Sequence, residues 1–213
     1  MKTIGRLHVL TDTALQSRFT HLELTEMAIS GGADTIQLRQ KTGSTRELIK
    51  TATEMRRLCA KKGATFIVND RIDVAIASEA DGVHLGQDDF PIPLARKLLG
   101  KDRIIGGSAA TLEEMENCIR EGADYVGFGP IYPTGSKDDA GPVSGIDFLK
   151  RIVLTTSLPV VAIGGIDENN ASHVMMGAGA HGIAVISAVC CRDYPQEAAR
   201  ELHDAVHENV LPG

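Results

Sequence analysis

Asp70, in Ile67-Val68-Asn69-Asp70-Arg71, and Asp89, in His84-Leu85-Gly86-Gln87-Asp88-Asp89, each stand just past a short apolar run, one strand-helix-strand unit apart. A parallel strand buries its apolar residues in the sheet and frees polar ones at its C-terminal end, so carboxylates at two successive strand ends can converge on one hard cation. Mg2+ is held this way, by one or two carboxylates and the phosphate oxygens of a substrate. Cations accompany the acids. Gln37, Arg39 and Lys41 alternate along the preceding apolar run, and residues two apart on a strand share a face about 7 Å from each other for as long as the strand continues. An inward cation without an anion costs several kcal/mol, so this face expects an anionic ligand.

The elements that must position these groups follow from periodicity. Short β-branched runs alternate with helical patterns at intervals of roughly 20 to 25 residues, the signature of βα units and a parallel sheet. The runs place strands at 7–11, 35–39, 65–69, 82–85, 103–107, 125–129, 160–164 and 182–186. Helices fall between them at 22–30, 44–62, 72–78, 93–99, 112–121, 146–154, 168–176 and 196–206. Ser44 with Glu47 and Thr111 with Glu114 read as capping boxes, and Gly63, Gly100 and Gly122 as C-terminal stops. Gly32-Ala33-Asp34, Ala80-Asp81-Gly82, Gly122-Ala123-Asp124 and Gly179-Ala180-His181-Gly182 each precede a strand, a structural use in tight loops at the far end of a barrel. Eight units predict an α/β fold, a (β/α)8 TIM barrel in which residues 1–213 form one catalytic domain; a doubly wound sheet is the alternative.

In such a barrel the chemistry belongs to the loops after the strands. Those ends carry Asn69-Asp70, then Gln87-Asp88-Asp89, then Gly106-Gly107-Ser108, then the loop Gly129-Pro130-Ile131-Tyr132-Pro133-Thr134-Gly135-Ser136-Lys137. The last two end in Ile163-Gly164-Gly165-Ile166 and Val185-Ile186-Ser187. Glycines there let backbone N–H groups approach an oxyanion, and the loops after strands seven and eight are the usual phosphate cradle.

Composition excludes several classes. The chain has 213 residues, 43% of them hydrophobic, and a formal charge of −6, enough for one sizeable core and unfavourable for a general nucleic-acid or anionic-membrane binder. No stretch approaches the roughly 18 apolar residues of a membrane span, and the N-terminal run is too short for a signal-peptide core. A cytoplasmic protein is expected, with a homo-oligomer left open. Cys59, Cys118, Cys190 and Cys191 lack zinc-type pairing and the density of a disulfide framework, so buried reduced thiols are expected.

Six ordered motifs spanning nearly the whole chain carry a family resemblance. Gln37-Leu38-Arg39-Gln40-Lys41, Val68-Asn69-Asp70, Gly82-Val83-His84-Leu85-Gly86-Gln87 with Asp89, Ala123-Asp124-Tyr125-Val126-Gly127 running into Gly129-Pro130, Thr134-Gly135-Ser136-Lys137 and Ala162-Ile163-Gly164-Gly165-Ile166 resemble those of thiamine-phosphate synthases. The resemblance implies a transferase that joins 4-amino-5-hydroxymethyl-2-methylpyrimidine diphosphate to a thiazole phosphate and releases pyrophosphate. It implies that the pyrimidine diphosphate lies against Gln37, Leu38, Arg39, Gln40, Lys41, Asn69, Ser108 and Lys137, with Arg39, Lys41 and Lys137 neutralising the leaving group and Mg2+ on Asp70 and Asp89. The thiazole phosphate is implied to lie against Thr134, Gly135, Ser136, Gly165, Ile186 and Ser187. This chain departs from the pattern in Ser136, where a second Thr is common, and in one extra residue between Gly165 and Ile186.

Other polar residues have blander readings. His84, between Val83 and Leu85, reads as a hydrogen-bonded barrel histidine rather than a base. Asp73, at the start of a helix, suits the helix dipole. Asp88 competes with Asp89 as a ligand, and only the resemblance separates them. Met175-Met176 reads as packing. Two rival functions remain: a thiazole tautomerase, which places a catalytic His just after the glycine where this chain has Pro130, and a non-catalytic phosphate-ligand sensor.

Overall fold

The computed structural model describes residues 3–136 and 141–207. Eight parallel strands, β1 Leu7–Thr11, β2 Thr35–Leu38, β3 Thr65–Asn69, β4 Gly82–Leu85, β5 Ile104–Ala109, β6 Tyr125–Phe128, β7 Val160–Ile163 and β8 Gly182–Val185, follow one another in sequence order around a closed barrel. The pairing of Leu7 with Ile183 and of Val9 with Val185 closes it. Nine helices among the described residues form the outer ring: α1 His21–Ser30, α2 Thr45–Lys62, α3 Ile72–Ala77, α4 Ile92–Leu99, α5 Leu112–Glu121, α6 Gly145–Thr155, α7 Ala171–Ala178, α8 Ser187–Cys190 and α9 Pro195–His207. The (β/α)8 expectation holds and the doubly wound alternative falls.

Alternation along each strand sorts side chains into two layers. Val9, Ile36, Leu38, Phe66, Val68, Val83, Leu85, Ile105, Val126 and Phe128 point outward and pack under the helices. Leu10, Ile67, Ile104, Tyr125, Val161, Ala184 and Ile186 form a smaller inner cluster. Short strands buried on both faces read as continuous apolar runs, which is why the sequence locates them so well.

The recurrent Ala-Asp loops are staples at the N-terminal end of the barrel. Asp34 Oδ2 accepts from the Arg6 and Leu7 N–H groups at 2.9 Å each, Asp81 Oδ2 from Phe66 N at 2.9 Å, and Asp124 Oδ2 from Ile105 N at 2.7 Å. Each carboxylate thus ties down the start of the strand before its own. In the fourth copy the ring of His181 hydrogen-bonds the Ile4 carbonyl at 2.9 Å instead.

Helix punctuation is as expected at Ser44/Glu47 and Thr111/Glu114, and Thr20/Glu23 adds a third capping box. Gly63 and Gly122 end their helices in the left-handed region. Three boundaries differ in ways that matter to the site. β2 stops at Leu38, after a last ladder bond from Arg39 N to Thr11 O and a turn in which Gln40 Nε2 donates to the Thr42 carbonyl. β5 runs on to Ala109, so Ser108 is a strand residue. α7 begins at Ala171 because the Asn170 amide spans the preceding turn, accepting from Asp167 N and donating to the Gly165 carbonyl. The one-turn α8 was not anticipated.

Candidate active site

A cavity of about 520 Å³ opens at the C-terminal ends of the strands. Its floor is the top of the inner layer, including His8, Leu10, Tyr125, Val161 and Ala184. Gln37, Asn69, Ser108, Thr134, Ser136, Gly165, Ile186 and Ser187, eight of the residues singled out in the sequence, all line it. Ser136 Oγ donates to Ser187 Oγ at 3.1 Å, so the loop after β6 meets the end of β8. Gly164 (φ 99°) and Gly165 (φ 64°) stand between them in left-handed backbone. A Cβ on Gly165 would come within 2.5 Å of the Pro133 carbonyl oxygen, so only glycine permits the two loops to touch here.

Beside Asn69 and Asp88, which line the cavity, lies the acidic pair. Lys41 Nζ reaches Asp70 Oδ2 at 2.5 Å. Asp70 is held at φ 62°, a conformation few residues except Gly, Asn and Asp accept, by bonds from its own N–H to the His84 carbonyl and from Arg71 N to the Asn69 carbonyl. The Asp89 carboxylate accepts from Gly86 N at 2.7 Å. Burial, then neighbouring Asp70, push its acidity to higher pH, with the Gly86 N–H and, less, Lys41 partly offsetting this. Two crowded carboxylates of hard oxygen donors fit Mg2+. Among the described residues no group of three or more His, Cys, Asp or Glu gathers to cage a metal.

The remaining expected residues stand elsewhere. Leu38 belongs to the outer apolar layer, and Gln40 and Gly135 do not line the cavity. Arg39, nine-tenths buried, pairs through Nη1 with Asp12 Oδ2. Asp12 itself is anchored by the Ala14 N–H at 2.8 Å, and Arg39 Nε is buried without a partner. Because β2 ends at Leu38, the strand alternation that would have aimed Arg39 and Lys41 alongside Gln37 does not extend to them. Lys137 lies outside the described residues.

Sequence reasoning missed Asp12, whose only signal was its place directly after the first strand, and the cavity-lining residues Tyr125, Thr111 and Glu114, the last two read only as a capping box. Asp88 lines the cavity while Asp89 turns back onto Gly86, a separation of roles that adjacent residues of one type cannot show in sequence. His84 is hydrogen-bonded within the barrel, as expected. Its Nδ1 meets the Tyr125 hydroxyl and its Nε2 meets Ser108 Oγ, each at 2.9 Å. The four cysteines are free, and all but Cys191 are buried.

Fold and cavity together define a class: a (β/α)8-barrel protein with a cavity lined by the loops at its C-terminal mouth. The sequence profile of the thiamine monophosphate synthase family matches residues 7–189. A thiamine-phosphate synthase of Methanocella arvoryzae is 52% identical over 97% of this chain and 97% of its own length, and one of Chloroflexus aurantiacus is 49% identical over 94% and 92%. A solved thiamine phosphate pyrophosphorylase from Pyrococcus furiosus superposes with a TM-score of 0.88 at 41% identity, covering 96% of both chains. A 3-hexulose-6-phosphate synthase, with a TM-score of 0.71 at 19% identity, shares the fold alone. The chain belongs to the thiamine monophosphate synthase family.

Proposed function

We propose that residues 1–213 act as one cytoplasmic catalytic domain, a thiamine-phosphate synthase that condenses 4-amino-5-hydroxymethyl-2-methylpyrimidine diphosphate with thiazole phosphate to give thiamine monophosphate and pyrophosphate. The observation that carries this reading is the meeting of three motif groups from distant strands at one cavity: Gln37, Asn69 and Ser108 on its wall, the Asp70–Asp89 pair beside it, and Thr134, Ser136, Gly165 and Ser187 opposite. No helix among the described residues is long and apolar enough to cross a membrane.

The pyrimidine ring is assigned to the wall, its diphosphate to the acidic rim, and the thiazole phosphate to the Gly165 turn with the hydroxyls of Thr134, Ser136 and Ser187. The C–O bond to the diphosphate breaks first and its electron pair leaves with pyrophosphate. The electron-rich aminopyrimidine stabilises the benzylic-type cation, and the thiazole nitrogen lone pair then forms the C–N bond. No protein nucleophile is needed. Asp70 and Asp89 would hold Mg2+, which would supply positive charge to the departing diphosphate. Lys41, already held at this rim, is placed to add a second charge, and Lys137 is assigned the same task on its motif; Arg39 holds that assignment on its motif alone, because its guanidinium is paired with Asp12. Such groups are effective because they are fixed before the reaction begins.

The test is pyrophosphate release by purified protein given each phosphorylated heterocycle alone, then both, with and without Mg2+. Release that requires both heterocycles and the metal is expected. Release with the pyrimidine diphosphate alone, at the same rate, contradicts the assignment.

A further inference from the structure

The barrel interior holds a hydrogen-bonded chain that ends in the cavity. Tyr125 is 1% exposed, and burial, then the nearby Asp124 charge, keep its phenol neutral far above ordinary pH. Among the described residues its hydroxyl has one hydrogen-bond partner, His84 Nδ1 at 2.9 Å. A buried phenol with a single partner spends its proton there, since an unmade hydrogen bond in the interior is expensive. Nδ1 is then the acceptor, the ring proton resides on Nε2, and that N–H donates to Ser108 Oγ at 2.9 Å. With its oxygen serving as acceptor, the Ser108 hydroxyl keeps its own proton available to donate, and Ser108 lines the cavity.

The barrel gives up side chains to seat this chain. Gly106 pairs with both His84 and Tyr125 across the sheet, and Gly127 pairs with Ser108. A Cβ on Gly106 would lie 2.3 Å from Tyr125 Cζ and 2.5 Å from His84 Nδ1, and one on Gly127 would lie 2.9 Å from His84 Cε1.

We infer that Tyr125 and His84 are positioning residues that set Ser108 as a hydrogen-bond donor to an acceptor atom of the pyrimidine diphosphate. The inference rests on the proposed function for its substrate, while the tautomer at its centre is independent of any activity. Simple barrel filling makes a different prediction, because phenylalanine at 125 fills the same space but has no proton to give.

Two measurements decide it. Long-range proton–nitrogen spectra of the parent protein are expected to show His84 protonated at Nε2 and bare at Nδ1; protonation at Nδ1 overturns the inference. Tyr125→Phe is expected to lower kcat/KM for the pyrimidine diphosphate about tenfold, the loss of one oriented hydrogen bond. In a Ser108→Ala background the same substitution is expected to cost less than about twofold, because residues acting through one atom are not additive. An equal loss in both backgrounds overturns the inference. A parent protein that forms no thiamine monophosphate instead overturns the proposed reaction, and the nitrogen spectra still decide the tautomer.

Discussion

At the scale of single residues, Asp70 combines a left-handed backbone with a carboxylate proposed to hold the metal. A side chain at φ 62° tolerates Asn far better than Ala, since short polar side chains compensate the left-handed conformation locally. Asp70→Asn therefore separates charge from strain. Turnover is expected to fall on the order of a hundredfold, the loss of roughly 3 kcal/mol that accompanies removal of one fixed electrostatic group, with an unchanged urea midpoint. Near-parent turnover in steady-state assays would falsify the metal assignment. Lys137→Ala is expected to lose turnover to a similar degree, about a hundredfold, measured as pyrophosphate release at saturating substrate. Arg39 shows the opposite lesson. Its partner Asp12 is 2% exposed, so Asp12→Ala leaves a buried guanidinium unpaired and is expected to destabilise the fold by about 3 to 5 kcal/mol in denaturant titrations.

At the scale of elements, the Ala-Asp staples explain why short strands hold their register. Asp34 satisfies two N–H groups at the entrance to β1, at 2.9 Å each, and hydrogen bonds to a charged acceptor contribute about 1.5 to 3 kcal/mol. Asp34→Ala is expected to cost about 3 kcal/mol in a urea titration while leaving kcat unaltered, because the staple lies at the end of the barrel away from the cavity. A fall in kcat with unchanged stability would contradict the structural role. Gly106 on β5 behaves differently. Its missing Cβ accommodates the Tyr125 and His84 rings, so Gly106→Ala is expected to impair both stability and turnover, read in the same two assays.

At the scale of the whole molecule, acid acts through the barrel floor. His8 is fully buried, its Nε2 facing the Gly5 carbonyl at 3.0 Å. Burial lowers its pKa from 6.5 to about 4, with the Gly5 carbonyl opposing. The unfolded chain takes up this proton below about pH 6.5 and the folded barrel does not. The contribution is fully present above that pH, falls as pH drops toward 4 and levels off below it. Its size is about 3 kcal/mol. Unfolding free energies at pH 7.5 and 4.5 are expected to differ more for the parent than for His8→Gln by about that amount. Equal pH dependence of the two proteins would remove His8 from the account.

The fold was legible because its strands are buried on both faces and three of its helices open with explicit capping boxes. Apolar runs are local signals, as are the three Thr-x-x-Glu or Ser-x-x-Glu boxes, and eight apolar runs alternating with helices admit few architectures. Identity at Asp70, Ser108 or Gly165 was equally local, as strand-end residues of unusual type. What chain order could not express is direction. Strand alternation predicted one shared face for Gln37, Arg39 and Lys41, yet β2 ends before Arg39, which turns to Asp12 while Lys41 turns to Asp70. Likewise Asp88 and Asp89, and His84 among its apolar neighbours, acquired distinct roles only through contacts with segments far away along the chain. Periodicity and composition depend on near neighbours and survive in one dimension. Charge pairing and hydrogen-bond direction depend on which distant groups arrive, and only the closed barrel decides that.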